Sequence, residues 1–386
     1  MKELSVKETK VETREMKFGF VIHPITGKQL IAKARNIGTF SKMLSSLNFW
    51  GFLQFYHFPK WFKRENNYLP PQVLYTYDNV TSPTGVSVSG KIVGIMMSPK
   101  QILEDQQLAL KMIRKSYQSL EKFGVEILGL GALTGIIGSN GEMIDNQVSA
   151  AVTTGDCFMV YTSVKILERA LEKLGIHLPL STVAIIGFPG RVGTAIARML
   201  ASKGANLNLI GRVQSKPVQQ LRFDLMKTYG VAVELRNDLT DVLQTQKIIV
   251  SASSREGIIN QNELSSGSVV IDVSLPKNVI GVKAERDDIL VIDGGIVSLP
   301  METNCKHDPF GIGKNNILAC LAEAIILALE HRKESFSIGR RLELDKIEEI
   351  GLLGEKHGFI VKDLISFDRV IPQKIFSNVR SIVNQQ

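Results

Sequence analysis

Cysteine is scarce in this chain: Cys157, Cys305 and Cys320 are the only three in 386 residues, and none forms a CxxC pair. Three thiols so spaced exclude a disulfide framework and a four-cysteine zinc site, and they suit a reducing cytoplasm. Long apolar runs are missing as well. No uninterrupted stretch reaches the roughly 20 residues a membrane-spanning helix needs. The segment from Met1 to Lys17 alternates charges and lacks the apolar core of a secretory signal, which predicts a soluble, unprocessed chain that opens with a mobile arm. Acidic residues are the minority, 38 Asp and Glu against 46 Lys and Arg, for a net charge of +8. That excess suits an acidic carrier protein, an anionic membrane or nucleic acid without choosing among them.

What is present is apolar enough for folding. With 44% hydrophobic and 22% charged residues, the chain can bury one full core and has length for a second. Nine of its 26 aromatics fall between Phe40 and Phe62, interleaved with Lys42 and Lys60 and followed by Lys63 and Arg64. Such a cluster reads either as a satellite core or as an apolar surface for a lipid chain or a membrane interface. Strand-like runs begin at Phe18 and again from Val73 to Ile95. A helical pattern runs from Pro99 to Phe123, a strand and glycine-rich loop follow from Val125 to Ile137, and another helix is predicted over Thr154 to Leu174.

The most informative residues come after Leu178-Pro179. Thr182 to Ile186 is a short apolar strand, Gly187-Phe-Pro-Gly190-Arg191-Val192-Gly193 is a G-x-x-G-x-x-G, and a helix is predicted over Thr194 to Lys203. Glycines at such a turn let the backbone approach a pyrophosphate, whose charge sits on the amides of the helix N-terminus. A second strand, Asn206 to Ile210, completes one βαβ unit and is followed by Gly211-Arg212. A cation where an acidic residue would bind the ribose of NAD fits a 2′-phosphate, so the expected cofactor is NADPH. Lys247 to Ser253, Val269 to Asp272 and Ile289 to Asp293 read as three more buried parallel strands. Their carboxyl ends put Ser253, with Ser251, Asp272 and Gly294-Gly295, near the cofactor crevice.

Chemistry has several candidates. Tyr161-x-x-x-Lys165 imitates the pair of short-chain dehydrogenases but precedes the nucleotide loop, where that fold needs it afterwards. Cys305-x-His307 with Cys320 lacks a fourth ligand, so no metal site is expected. Cys320 lies in an apolar helical stretch, where a cysteine is either a small core residue or a nucleophile activated by a helix N-terminus or a cation such as Lys277 or Lys314.

Phe18-Gly-Phe-Val-Ile-His23, Pro70-Pro71-Gln72-Val73, Leu130-Gly131 with Thr134, Thr153-Thr154-Gly155 with Tyr161, the nucleotide loop and Pro276-Lys277-Asn278 occur in one order. Asp293-Gly294-Gly295, Ala319-Cys320-Leu-Ala-Glu323, Ser335-Phe-Ser-Ile-Gly-Arg340 and Lys356-His357-Gly358-Phe359 continue it. This series, from Phe18 to Phe359, resembles the long-chain acyl-(acyl-carrier-protein) reductases. The resemblance implies that Cys320 is the acyl-accepting nucleophile. It implies NADPH-dependent reduction of an acyl thioester to a fatty aldehyde, with oxyanion donors at the amides of Gly131 to Thr134 or at Lys277. The implied partners are acyl carrier protein or acyl-CoA as donor and an aldehyde-consuming enzyme, with peripheral membrane contact through residues 40–64 and no nucleic acid. The chain departs from that family at Val273-Ser274-Leu275 and at Asp156-Cys157-Phe158.

Two other functions stay open. A non-covalent NADP-dependent dehydrogenase of hydroxy or amino acids would use Lys277 or Asp293 for proton transfer, and a non-enzymatic module would sense NADPH and bind a partner. The expected architecture is α/β: a Rossmann-type doubly wound parallel sheet at residues 176–300, an N-terminal α+β substrate domain at 1–175, and C-terminal helices at 301–386. Catalytic roles are expected for Cys320 and Lys277. Cofactor contacts are expected from Gly187, Gly190, Arg191, Val192, Gly193, Arg212 and Ser253.

Overall fold

The apolar run that begins at Phe18 forms a strand covered on both faces. In the computed structural model, which describes residues 15–23, 70–211, 215–281, 286–300, 303 and 308–385, Lys17–Ile22 (β1) is the middle strand of five. Gln72–Thr81 (β2) and Ser87–Gly94 (β3) precede the helices Pro99–Glu104 (α1) and Gln106–Glu121 (α2). Ile127–Leu130 (β4), Leu133–Asn140 (α3), Glu142–Asp145 (α4), Ala151–Thr153 (β5) and Asp156–Leu174 (α5) follow. The sheet order is β2-β3-β1-β4-β5, parallel except where β2 meets β3. Alternation decides the faces: Val21 packs with Leu110, Ile113 and Leu120 of α2, while Phe18, Phe20 and Ile22 join the core on the other face.

The single helix expected from Pro99 to Phe123 is divided. Asp105 leaves the helical region at φ −137° and its carboxylate accepts the amide of Leu108 at 3.0 Å, so one residue ends α1 and caps α2.

The second sheet is the one the nucleotide loop foretold. Thr182–Phe188 (β6), Arg191–Ser202 (α6), Asn206–Gly211 (β7), Lys216–Tyr229 (α7), Val233–Arg236 (β8) and Leu239–Thr245 (α8) alternate along the chain. Ile248–Ser251 (β9), Ile259–Asn260 (β10), Val269–Asp272 (β11), Val279–Ile280 (β12) and Leu290–Asp293 (β13) follow. Six strands lie in the order β13-β11-β9-β6-β7-β8, all parallel. That is the Rossmann order, with its crevice where β6 and β9 send the chain to opposite sides. Helix α6 starts at Arg191, three residues before the expected Thr194, because Gly190 already ends the turn.

From β13 the chain makes Ile296–Ser298 (β14) and Asn316–Leu318 (β15), an antiparallel pair, and then crosses back to the first sheet as Ala319–Leu329 (α9). A Cβ added to Gly129 of β4 would lie 3.1 Å from Ala324 of α9, so this helix packs into the first sheet's core and is apolar on every side except at the buried Glu323. Leu344–Lys356 (α10), the hairpin Ile365–Ser366 (β16) with Arg369–Val370 (β17), and Gln373–Val383 (α11) complete the chain. The expectations placed on residues 1–14, on the aromatic segment 40–64, and on Arg212, Cys305 and His307 lie outside the described residues.

Candidate active site at the seam of the two sheets

Every residue of α9 is buried except Cys320, which is half-buried in its first turn. The helix is steered there by the second sheet: the carbonyl of Gly295, just past β13, accepts the amide of Ala319 at 2.8 Å. The first sheet meets it at Gly155, where β5 turns into α5. A Cβ on Gly155 would lie 2.3 Å from both the Cα and the carbonyl oxygen of Cys320, and Gly155 has φ +75°. Only glycine fits such an approach in the left-handed region.

Two buried side chains hold the N-terminus of α5 against α9. Gly155 offers no side-chain cap, and the carboxylate of Glu323, from α9, accepts the Phe158 amide at 2.8 Å and the Thr153 hydroxyl. Ser337 Oγ accepts the Cys157 amide at 3.0 Å, and the Ser337 carbonyl accepts Thr154 Oγ1. Orphan amides of a helix start are thus satisfied from outside the helix. Burial nevertheless pushes the Glu323 carboxyl above its ordinary range.

Arg191 crosses the seam. From the first residue of α6 its Nη1 stands 3.1 Å from Asp156 Oδ2, and its Nη2 donates to the Ser337 carbonyl and to Thr154 Oγ1. Burial raises the Asp156 carboxyl while the guanidinium pulls it down. Burial, with the Asp156 charge adding to it, pushes the Cys320 thiol up to about 12, although amides of the first α9 turn favour the thiolate. Cys157 is raised still more, by burial and then by Glu323.

The nucleotide turn is left open by comparison. Gly187 has φ +105°, and a Cβ there would meet the Ala252 carbonyl at 2.4 Å; a Cβ on Gly190 would meet the Gly187 carbonyl at 2.6 Å. Gly193 packs behind them and Val192 is half-buried beside the main core. Gly190 caps α6 without a side-chain acceptor, so the turn is bare backbone at a helix N-terminus, the arrangement that can receive an anion. Ser253 lies across from it, its amide held by Asn278 Oδ1 at 3.0 Å; the same oxygen accepts Ser251 and Ser274 hydroxyls.

Lys277 is held at the carboxyl end of β13. Its Nζ is 2.6 Å from Asp293 Oδ2, 3.7 Å from Asp368 Oδ1 and 5.5 Å from the centroid of the Phe367 ring. Asp272 ends the neighbouring strand, and burial pushes its carboxyl to about 6 although it accepts the amides of Ser274 and Val279. Of the oxyanion donors expected at Gly131 to Thr134, three are committed elsewhere. The amides of Gly131, Leu133 and Thr134 are already given to Val21 O, His23 Nε2 and Gly131 O, because this loop closes on β1. Tyr161 and Lys165 both turn to Glu355 of α10, at 2.8 and 3.7 Å, and form a packing contact. At the outer edge of the second sheet a hollow lined by Arg222, Glu234, Arg236 and Asp241 has its charge consumed internally, since Arg236 binds both Glu234 and Asp241.

Sequence reasoning met Glu323 and Ser337 only as positions in the motif blocks around Cys320, without a role. It did not reach the pairing of Arg191 with Asp156, for which an acid in the first turn of a helix was the local signal.

Residues 168–293, from α5 to the end of β13, match the shikimate/quinate 5-dehydrogenase family. The aminotransferase PigE of Serratia sp. (strain ATCC 39006) is 33% identical over 365 residues, which cover 94% of this chain and 42% of PigE, so the chain spans less than half of that relative. The long-chain acyl-[acyl-carrier-protein] reductase of Synechococcus elongatus is 28% identical over 305 residues, 75% of this chain and 87% of the reductase. A solved nucleotide-binding domain of glutamyl-tRNA reductase from Thermoplasma volcanium shares 20% identity over 33% of this chain and 83% of that one, with a TM-score of 0.24, too loose to bear on function. The chain carries an NAD(P)-binding domain of the oxidoreductase kind. Among the described residues no helix is long and apolar enough to cross a membrane.

Proposed function

We propose that this protein reduces a long-chain acyl thioester, carried on acyl carrier protein or coenzyme A, to a fatty aldehyde with NADPH, through an acyl-enzyme on Cys320. The observation that carries the reading is the position of Cys320. It is the one residue of α9 that is not buried, and it sits where the Gly155 turn of the first sheet and the Gly294-Gly295 loop of the second meet. A cysteine serving only as core packing would be buried with its neighbours.

The thiol attacks the acyl carbon: the Cys320 sulfur bonds to it, the bond to the carrier sulfur breaks, and the carrier leaves with the proton that Cys320 gave up. When bound, the dihydronicotinamide supplies a hydride to the enzyme-held thioester carbon. The hemithioacetal so formed breaks its carbon–sulfur bond, releasing aldehyde and returning the thiol with one proton. Amides of the first α9 turn are assigned to the oxyanion in both stages, and Lys277, paired with Asp293, is assigned to the proton.

Gly187, Gly190 and Gly193 would hold the pyrophosphate, with Val192, Ser253 and the largely buried Arg191 around it. NADPH over NADH rests on Arg212 and on Lys216 in the first turn of α7. An aldehyde is the substrate class an aminotransferase consumes, which gives the aldehyde-consuming partner a chemistry and supports reading the reductase and the PigE relative together. Contact of residues 40–64 with acyl chains or a membrane surface belongs to the same proposal, as does the division into substrate and cofactor domains near residues 175 and 300.

A second reading has its own support. The Lys277–Asp293 pair at the end of β13 and the family match over 168–293 suit a dehydrogenase that never forms a covalent intermediate. Intact-protein mass spectrometry separates the two. Incubation with a long-chain acyl thioester without NADPH should add one acyl group, mapped to Cys320, and NADPH should remove it as aldehyde. Full turnover by Cys320→Ala would instead establish the non-covalent dehydrogenase.

A further inference from the structure

Arg191 is the one side chain that leaves the nucleotide turn and ends among the residues around Cys320. It is 9% exposed, and its three partners, Asp156, Thr154 and the Ser337 carbonyl, all belong to the cysteine side of the seam. Its Nε and Nη1 are nonetheless buried without a hydrogen-bond acceptor, the contact of Nη1 with Asp156 being an ion pair only. A buried guanidinium with donors to spare, set in the first turn of a phosphate-binding helix, is organised to accept a further anion.

Two carboxylates act on the Cys320 thiol, Asp156 of α5 and Glu323 of its own helix α9. Asp156 directly follows the Gly155 whose Cβ position lies 2.3 Å from the Cys320 Cα, and Arg191 of α6 reaches this pair of groups through Asp156. Glu323 is committed to Thr153 and Phe158 of the α5 start. Asp156 has Arg191 as its one ion-pair partner among the described residues. A carboxylate beside a thiol opposes the thiolate, and a cation on that carboxylate relieves the opposition.

We propose that the Arg191–Asp156 pair is an electrostatic control on Cys320, and that the phosphates of a dinucleotide bound at α6 compete with Asp156 for Arg191. Arg191 is a positioning residue in this scheme: it acts on the sulfur through Asp156. Without cofactor the pair is closed and Cys320 is at its most reactive. With cofactor the guanidinium is shared, Asp156 is less screened, and the thiol is less nucleophilic. The scheme rests on Cys320 being the nucleophile, and it orders the reaction: acyl transfer to the enzyme comes before the dinucleotide engages.

The test follows alkylation of Cys320 by iodoacetamide, resolved by peptide mass spectrometry, in the full chain from pH 6 to 10. Arg191→Gln should slow alkylation at pH 8 about tenfold and Asp156→Asn should speed it by a similar factor. The double variant should follow Asp156→Asn, because Arg191 works through the carboxylate. Saturating NADP⁺ should slow the wild type and leave Asp156→Asn unaffected. Equal slowing of both would mean that the cofactor merely covers the sulfur, and the coupling would be overturned. An unchanged rate in Asp156→Asn would overturn the control altogether. Asp156→Asn removes a buried charge, so it carries the test even if Arg191→Gln fails to fold. An acyl thioester that never adds to Cys320, with this alkylation pattern intact, would defeat the reductase reading and leave the control standing.

Discussion

The molecule contains two strand-to-helix turns of the same kind, β5 into α5 and β6 into α6, and they are finished in opposite ways. Both helices begin after a glycine that offers no side-chain cap, Gly155 and Gly190. At α5 the protein closes the turn itself, with Glu323 on the Phe158 amide and Ser337 on the Cys157 amide. At α6 no side chain caps the helix start, and the glycines hold neighbouring backbone too close for any side chain to enter. The same topology thus yields one turn filled by protein side chains and another left without a side-chain cap, which the proposed function fills with the dinucleotide's phosphates. Arg191 joins them, starting at the open turn and ending at the closed one.

If that contrast is right, substitutions at the two turns should differ in kind. Gly155→Ala is expected to have the largest effect, because its Cβ would strike the Cys320 backbone at 2.3 Å from a residue at φ +75°. We expect a loss of more than about 3 kcal/mol in urea unfolding. Gly190→Ala has φ −56° and meets only the Gly187 carbonyl, at 2.6 Å. It should cost about 1 kcal/mol of stability while weakening dinucleotide binding at least about tenfold by calorimetry. The reverse pattern, stability lost at Gly190 and binding lost at Gly155, would break the comparison.

Glu323→Gln tests the closed turn by pH. Burial raises the Glu323 carboxyl above its ordinary 4.5. The folded state therefore holds its proton more tightly than the unfolded one. The stability this contributes is complete below pH 4.5 and is lost as the pH rises through the folded value. The glutamine variant lacks that slope, so its melting temperature relative to the wild type should climb between pH 4.5 and pH 8. A difference that stays flat would mean that the helix start and Thr153 fully compensate the buried charge.

The open turn was legible in the sequence and the closed one was not, for a physical reason. Gly187, Gly190 and Gly193 act within seven residues, and the apolar runs at β9, β11 and β13 are continuous because each strand is covered on both faces. Asp105 was hidden by a milder effect, since a capping acid inside an apolar periodicity does not interrupt the pattern. Glu323 and Ser337 reach α5 from 165 and 180 residues away, and no local pattern encodes such a meeting. Cys320 stands between these cases. The resemblance singled out Cys320 as the nucleophile, but its place in the first turn of α9 and its being the one half-buried residue of a buried helix required the fold. Arg191 was found for its position in the loop, and its partners across the seam were invisible for the same long-range reason.

The smallest expected effect lies at Ser337, where two contributions can be separated. Its side chain caps the Cys157 amide, its carbonyl receives Thr154 and Arg191, and its backbone has φ +49°. Ser337→Ala removes the cap and leaves the left-handed strain, for a loss of about 1 kcal/mol. Ser337→Gly removes the same cap but relieves the strain, so it should lose less than alanine by several tenths of a kcal/mol or more. Chemical denaturation of both variants measures the difference directly. If glycine and alanine are equal, the conformation of residue 337 is imposed without strain and the closed turn depends on its cap alone. If glycine is the better of the two, the chain tolerates a strained serine at this point because its hydroxyl completes the α5 start and its carbonyl anchors Arg191.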